Sequence, residues 1–297
     1  MRCLITGGAG FIASHLAETL QSQNHEVVLF DLRNLPAESP LIVGDIRDTA
    51  LLTSTLRDHR SEAIFHLAAL PGVRLSVREP ARAIDVNVQG TTSVLEAARL
   101  AGVRKFTFVS SSSVYGLGLP MPFQEDVTPA RPISPYAASK LAGEALCHAY
   151  AHLYNLSITV TRLFTVYGPR QRPDLAFHKF IAAIAAAQPI PIYGAGDTRR
   201  DYTYCADAAR ALAATLQLST GYEIINIASG RAIPLSEVIA TIEAVANRPA
   251  LREYLPPQPG DVDATFADIT KANRLLHYAP TVSLLDGIRA QWQWQTH

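Results

Sequence analysis

The fold class expected from the sequence is α/β: a doubly wound parallel sheet with a smaller, interleaved C-terminal lobe. Two observations predict it. Short apolar runs alternate with helical patterns from residue 2 to about residue 163, the mark of successive βαβ units. The first of these units also carries a glycine turn, Gly7-Gly8-Ala9-Gly10-Phe11-Ile12-Ala13, between its strand and its helix.

Arg2–Thr6 reads as a buried strand, and a helical pattern continues from the turn through Leu16 and Leu20. Gly8, Gly10 and Ala13 fit the G-x-G-x-x-G/A dinucleotide fingerprint, and Gly7, Gly10 and Ala13 fit a related spacing. Small residues let backbone approach a pyrophosphate, and the helix N-terminus offers it free N–H groups. A second strand, 26–30, ends at Asp31, where the fingerprint expects an acid for the adenosine ribose. A carboxylate there repels a 2′-phosphate and favours NAD over NADP, with Arg33 as a counter-signal. This first unit is therefore of Rossmann type.

Leu41–Val43 is a third strand, followed by a helix to about residue 58. Residues 63–67 form a strand, 81–101 a helix and 105–109 a strand that feeds the serine run 110–113. A helix from Tyr136 to about residue 154 and a strand over 157–163 follow. Only residues 32–40 join the second and third strands, fewer than a helical crossover usually needs. Either that crossover is an irregular loop or one strand is misplaced. Beyond residue 163 the pattern loosens into a loop rich in Gly, Pro and Arg (167–173), a helix over about 175–187 and a short strand over 190–193. A helix over 206–217 and a strand over 223–227 return to the main sheet. The expected division is 1–163 plus about 200–228 for the nucleotide-binding domain, and about 164–199 plus 229–297 for the lobe.

At 297 residues and 48% hydrophobic, the chain buries a substantial core. Lys+Arg and Asp+Glu are both 26, which argues against a broad nucleic-acid footprint. Cys3, Cys147 and Cys205 lack a C-x-x-C spacing and read as free thiols in a reducing compartment. No apolar run approaches a membrane span, and a strand at residue 2 leaves no room before it for a signal peptide. A cytoplasmic protein with no membrane partner is expected.

Tyr136 and Lys140 share one helical face. An ammonium one turn away favours a phenolate, which makes the tyrosine a general acid/base near neutrality. Glu144, His148 and His152 also share a face. Two histidines at that spacing can bind zinc, but no third ligand accompanies them, so no metal is expected. Packing is the default for His15 and His66.

The motifs Thr6 to Ile12, Asp45-Ile46-Arg47-Asp48, His66-Leu67-Ala68-Ala69, Asn87 to Thr91, Ser110 to Gly116, Ser134 to Lys140 and Arg200-Asp201-Tyr202 run through most of the chain. Together they resemble the extended short-chain dehydrogenase/reductases of the nucleotide-sugar epimerase/dehydratase family. The segments Gly72-Val73-Arg74-Leu75-Ser76 and Arg162 to Asp174 are most similar to its UDP-glucuronate and UDP-glucose 4-epimerases. Two departures are Ala13 at the third glycine position and the short segment 32–40.

The resemblance implies NAD, a UDP-sugar and a homodimer formed through helices 81–101 and 137–154. It implies catalysis by Ser111, Tyr136 and Lys140, with Lys140 holding the nicotinamide ribose and depressing the tyrosine pKa. Gly7, Gly10, Phe11 and Ile12 would line the pyrophosphate, Asp31 the ribose, and Asp45 with Ile46 the adenine, with Leu67, Ala68, Ala69 and Asn87 completing the cofactor site. Arg74, Ser76, Ser112, Ser113, Thr165, Arg172, Arg200 and Asp261 would face the substrate. Dehydrating relatives carry Asp-Glu after the catalytic Ser/Thr and decarboxylating relatives a Glu. Here Ser112 and Ser113 stand instead, which leaves reversible oxidation at C4, that is, epimerisation. Thr165 and Arg172 would sit beside a C6 carboxylate and so favour UDP-glucuronate. A UDP-glucose or UDP-N-acetylglucosamine epimerase, a nucleotide-sugar 4-ketoreductase and a non-enzymatic dinucleotide-binding protein are the alternatives.

Overall fold

A computed structural model describes residues 1–127, 131–219, 221–256 and 264–297. The elements that position the site begin with strands β1 (Arg2–Thr6), β2 (Glu26–Asp31), β3 (Leu41–Val43), β4 (Ala63–His66), β5 (Lys105–Ser111) and β6 (Ser157–Leu163). β7 (Thr165–Tyr167), β8 (Ile190–Tyr193), β9 (Arg199–Arg200), β10 (Tyr202–Tyr204) and β11 (Tyr222–Ile227) follow. The helices are α1 (Phe11–Ser22), α2 (Thr49–Asp58), α3 (Val73–Arg78), α4 (Pro80–Ile84), α5 (Gly90–Ala101) and α6 (Pro135–Tyr154). They continue with α7 (Ala176–Ala185), α8 (Cys205–Ala214), α9 (Leu235–Ala246), α10 (Thr270–Leu276) and α11 (Leu284–Thr296).

The main sheet is seven-stranded, in the order β11-β6-β5-β4-β1-β2-β3, and all its pairings are parallel. Helices cover both faces, so its central strands are apolar on both sides; Cys3, Leu4 and Ile5 of β1 are all fully buried. Strand order reverses between β1 and β4. Ligands of open α/β sheets bind in the crevice at such a switch, beyond the carboxyl ends of the strands. The glycine turn, the end of β4 and the serine run all open there.

Residues 32–40 join β2 to β3 without a helix. The strand assignments on either side stand, and the crossover is the irregular loop. Because no helix fills the space beside α1, a cavity of about 400 Å³ lies between α1 and this loop, lined by Phe11, Leu29, Leu35 and Leu41 among others. The helix expected over 81–101 is present and runs without a gap, but its middle is π-helical: α4 passes into Asp85–Gln89 and these into α5. Such turns bulge a residue out of register, and here Asn87 is buried.

A second core, around Phe177, Phe180, Ile181, Val238, Ile242 and Ile288, unites α7, α9 and α11. Helix α10 does not join it. Ala272 and Leu276 pack instead into the core shared by α1 and α8, so one element of the 229–297 stretch lies against the main sheet. Among the described residues, no helix is long and apolar enough to cross a membrane.

Candidate active site

The glycine turn is shaped by contacts that only glycine permits. Gly7 has φ +71°, and a Cβ there would stand 2.8 Å from the Ala68 nitrogen. The turn is thereby pressed onto the Leu67–Ala68 backbone, and Leu67 donates its N–H to Thr6 O at 3.1 Å. Helix α1 starts at this turn with no side-chain cap and no acid in its first turn. Its terminal N–H groups therefore suit a pyrophosphate. Asp31 ends β2 and is buried. Its Oδ2 accepts from Ala9 N at 3.1 Å and its Oδ1 from Arg33 N at 2.9 Å. Oδ1 also accepts from Arg33 Nε at 3.4 Å; a carboxylate has about four lone-pair sites, so Oδ2, with one donor, keeps capacity for a ribose hydroxyl. Arg33 lies across the same turn, donating to Ala9 O at 2.6 Å. These features fit a dinucleotide.

Two residues expected at the cofactor have partners within the protein. Asp45 is ion-paired to Arg47, which also reaches Asp85. Ile46 is buried and packs against Gly90. Asn87 brackets the loop after β4: its Oδ1 accepts Leu70 N at 2.6 Å, and its Nδ2 donates to Leu70 O at 3.3 Å and to Ser139 Oγ at 2.9 Å. Asn87 therefore ties the switch-point loop, which includes Ala69, to α6.

Helix α6 starts at Ser134, whose side chain accepts from Ala137 N, with Pro135 in the first turn. That start places Tyr136 at the mouth of the crevice. Ser111, at the end of β5, lies within hydrogen-bonding reach of the phenol. Ser113 Oγ donates to Ser111 Oγ at 3.0 Å, while Ser112 starts the short helix that leads away from the strand. Burial raises the phenol pKa, and the Ser111 hydrogen bond and the Arg172 charge oppose that rise. The net shift is upward, and Lys140 is not among the influences on the phenol. The Lys140 ammonium donates to Val109 O at 2.8 Å and lies 6.0 Å from the Tyr136 ring centroid. Burial brings its pKa down to about 8, against the upward pull of Cys147 and Glu144.

One turn past Lys140, Glu144 is buried and joins β5, β6 and α6. Ser110 Oγ donates to its Oε1 at 2.5 Å, and Arg162 grips it through Nε at 3.0 Å and Nη2 at 2.7 Å. The Arg162 guanidinium stacks 4.8 Å from the Tyr115 ring centroid. The sequence presents Glu144 only as part of a possible metal face with His148 and His152. His148 instead lies edge-on to Tyr222. The signal that could have found the brace is a carboxylate one turn beyond Lys140 together with an arginine inside an apolar strand.

Ser76, expected at the sugar, has partners within the protein. It is 1% exposed, its Oγ accepts from Tyr136 N at 3.0 Å, and it donates to Val73 O at 2.7 Å. Ser76 therefore holds the start of α6. Arg74 lies 5.0 Å over the Tyr193 ring. The two loop arginines separate: Arg170 turns back to Glu18 and His15 on α1, whereas the Arg172 charge acts on the Tyr136 phenol. A Cβ on Gly72 would come within 4.0 Å of Arg172 Nη2. Thr165 pairs with Tyr202 across β7 and β10, beside Arg200, which donates to Arg199 O at 2.9 Å. Between them, Asp201 is fully buried and accepts from Ser229 N, Ser229 Oγ and Gly230 N. From the sequence, only Arg200 of that motif is expected at the site. Asp261 lies outside the described residues.

Known proteins align with this chain over nearly its whole length. A UDP-glucuronate 4-epimerase of Thermodesulfobacterium geofontis is 38% identical, over 98% of this chain and 95% of that protein. The crystal structure of a UDP-glucuronic acid 4-epimerase from Bacillus cereus with UDP-glucuronic acid and NAD superposes with a TM-score of 0.92. It is 37% identical and covers 100% of this chain and 99% of its own. A UDP-glucose 4-epimerase of Thermotoga maritima, solved with UDP-glucose, superposes at 0.94 with 33% identity, over 99% and 98% of the two chains. A family model matches residues 3–228, and the chain belongs to the NAD dependent epimerase/dehydratase family.

Proposed function

We propose that this protein is an NAD-dependent UDP-sugar 4-epimerase whose substrate is UDP-glucuronate. The observation that carries the reading is the grouping of Ser111, Tyr136, Lys140 and Arg172: the Lys140 ammonium lies 6.0 Å from the Tyr136 ring centroid, and Ser111 and Arg172 both hold the phenol pKa down against burial. Similarity to the Bacillus cereus and Thermodesulfobacterium geofontis enzymes supports the uronate.

Tyr136 takes the proton of the C4 hydroxyl and later returns it, and Ser111 orients that hydroxyl. The chemistry NAD supplies when bound is acceptance of a hydride from C4 and its return to the opposite face. Lys140 would hold the nicotinamide ribose, Gly7, Gly10, Phe11 and Ile12 the pyrophosphate, and Asp31 the adenine ribose. Ser112 and Ser113 offer no carboxylate to eliminate water or to assist loss of CO2, so the 4-keto sugar turns and is reduced again. Arg172, with Thr165 beside it, takes the C6 carboxylate in two-point fashion. Glycine turn, main sheet and α8 form the cofactor half, and the α7–α9–α11 core forms the sugar half.

The deciding assay incubates purified protein with UDP-glucuronate, UDP-glucose and UDP-N-acetylglucosamine, each without added cofactor. Products are resolved by chromatography and NMR. The 4-epimer of UDP-glucuronate is expected; absence of any 4-epimer ends the reading, and consumption of NAD(P)H in a parallel incubation with added NAD(P)H and a 4-keto nucleotide sugar would replace it with a ketoreductase. The exposed Leu100, Leu153 and Tyr154 on α5 and α6 support a homodimer through these helices. Light scattering is expected to give twice the 32.2 kDa chain mass, and a monomer would remove that assignment.

A further inference from the structure

Arg172 already holds a carboxylate. Its Nε donates to Asp174 Oδ1 at 2.9 Å and its Nη2 to Asp174 Oδ2 at 2.8 Å, the planar two-point pairing that a substrate carboxylate would need. The Asp174 side chain is 62% exposed and that of Arg172 35%. Beneath them the loop is pinned. Buried Gln171 donates to Val166 O at 3.0 Å, and its Oε1 accepts from His178 N at 3.0 Å and from Gln291 Nε2 at 2.9 Å. Leu175 N donates to Arg172 O at 3.1 Å. The backbone on either side is thus fixed, while the two charged side chains above it are free to exchange partners.

We infer that Asp174 is a specificity-determining residue: an internal carboxylate that occupies the Arg172 fork until a uronate carboxylate replaces it. The inference rests on the proposed binding of the C6 carboxylate at Arg172. Two carboxylates cannot use the same pair of N–H groups, so uronate binding exchanges one arginine–carboxylate pair for another and returns Asp174 to water. A neutral sugar has no anion to offer. It leaves the pair intact, and the guanidinium beside it stays neutralised. Asp174 thereby weakens uronate binding and lets the site tolerate a hydroxymethyl group, which narrows the preference between the two sugar classes.

The test measures steady-state kcat and KM of the holoenzyme with UDP-glucuronate and UDP-glucose for the wild type, Asp174→Asn, Arg172→Ala and the double variant. The first substitution keeps the shape and removes the charge. It should lower KM for UDP-glucuronate about two- to fivefold, the range of an exposed ion pair, with kcat nearly unchanged and no gain for UDP-glucose. In the Arg172→Ala background it should have no effect on either sugar. Parallel changes for both sugars, or an unchanged ratio of their KM values, would overturn the inference while leaving the epimerase reading intact. Failure of the wild type to turn over UDP-glucuronate at all would remove the uronate reading and this inference with it.

Discussion

Two arginine–carboxylate pairs in this protein have nearly the same geometry and opposite surroundings. Arg162 grips Glu144 through Nε and Nη2 between β6 and α6, with both side chains at most 4% exposed. Arg172 grips Asp174 through the same two nitrogens on a surface loop. Environment, not geometry, sets their roles. The first pair cannot part without stranding a charge among apolar neighbours, so it serves as a permanent brace behind Ser110 and Lys140. The second parts into water at small cost, which is what the proposed exchange with a substrate carboxylate requires.

The largest expected effect tests the brace. Glu144→Ala leaves the Arg162 guanidinium buried and unpaired, and loss of one partner of such a pair costs about 3–5 kcal/mol. Denaturant unfolding should show that loss, with α6 loosened from β5 and activity reduced along with it. A loss below about 1 kcal/mol, the range of exposed pairs, would erase the distinction between the two.

The brace side should also carry much of the acid sensitivity. His66 is fully buried, hydrogen-bonded to Thr6 Oγ1 at 2.7 Å and to Thr91 Oγ1 at 3.0 Å. Burial, assisted by the Lys140 charge, brings its pKa down from 6.5 to about 3. Between those values the unfolded chain binds the proton and the folded chain does not, so stability rises with pH across that window and is lost as pH falls through it. The slope from one such group is at most about 1.4 kcal/mol per pH unit. Urea unfolding from pH 7 to pH 4 should show this slope, and His66→Gln should flatten it. An unchanged slope would assign the acid sensitivity elsewhere.

How much of this was legible in the sequence follows the same division. The glycine turn could be read because φ +71° at Gly7, with backbone 2.8 Å from any Cβ, is a demand that only glycine meets. The apolar strands and the Ser134-Pro135 helix start are equally local. The brace was not legible as such, since nothing local joins Glu144 to Arg162 or Ser76 to Tyr136. Those partners meet only when parallel strands and the π-bulged helix bring distant segments together. Asn87 shows the limit: its motif marked the position, but its service to Leu70 and Ser139 depends on the π-turn, which has no sequence period of its own. Asp174 was read as part of a motif, yet its pairing with Arg172 depends on side-chain conformation.

On the loop, Arg172→Ala should reduce kcat/KM for UDP-glucuronate about ten- to a hundredfold, the loss of one charge-assisted two-point contact of ~1.5–3 kcal/mol. UDP-glucose, which has no carboxylate, should lose far less. Parallel rates on the two sugars would resolve the difference. Equal losses would mean that Arg172 acts on Tyr136 or on the loop itself and would remove the reason for preferring the uronate.

The smallest effect is the stability of the exposed pair. Asp174→Asn should cost below about 1 kcal/mol, because both partners regain water when they separate. Arg172 holds the Asp174 carboxyl below its ordinary range. That contribution is therefore present above the ordinary carboxylate pKa and fades as pH falls through the lowered one. Salt discriminates further. Charges this exposed are screened within about 3 Å at 1 M ionic strength, so the difference between wild type and Asp174→Asn should vanish there, while the Glu144→Ala loss should persist because no counter-ion reaches Arg162. A salt-resistant cost at Asp174 would make its pair with Arg172 a second brace. It would also leave substrate exchange at that loop without a physical basis.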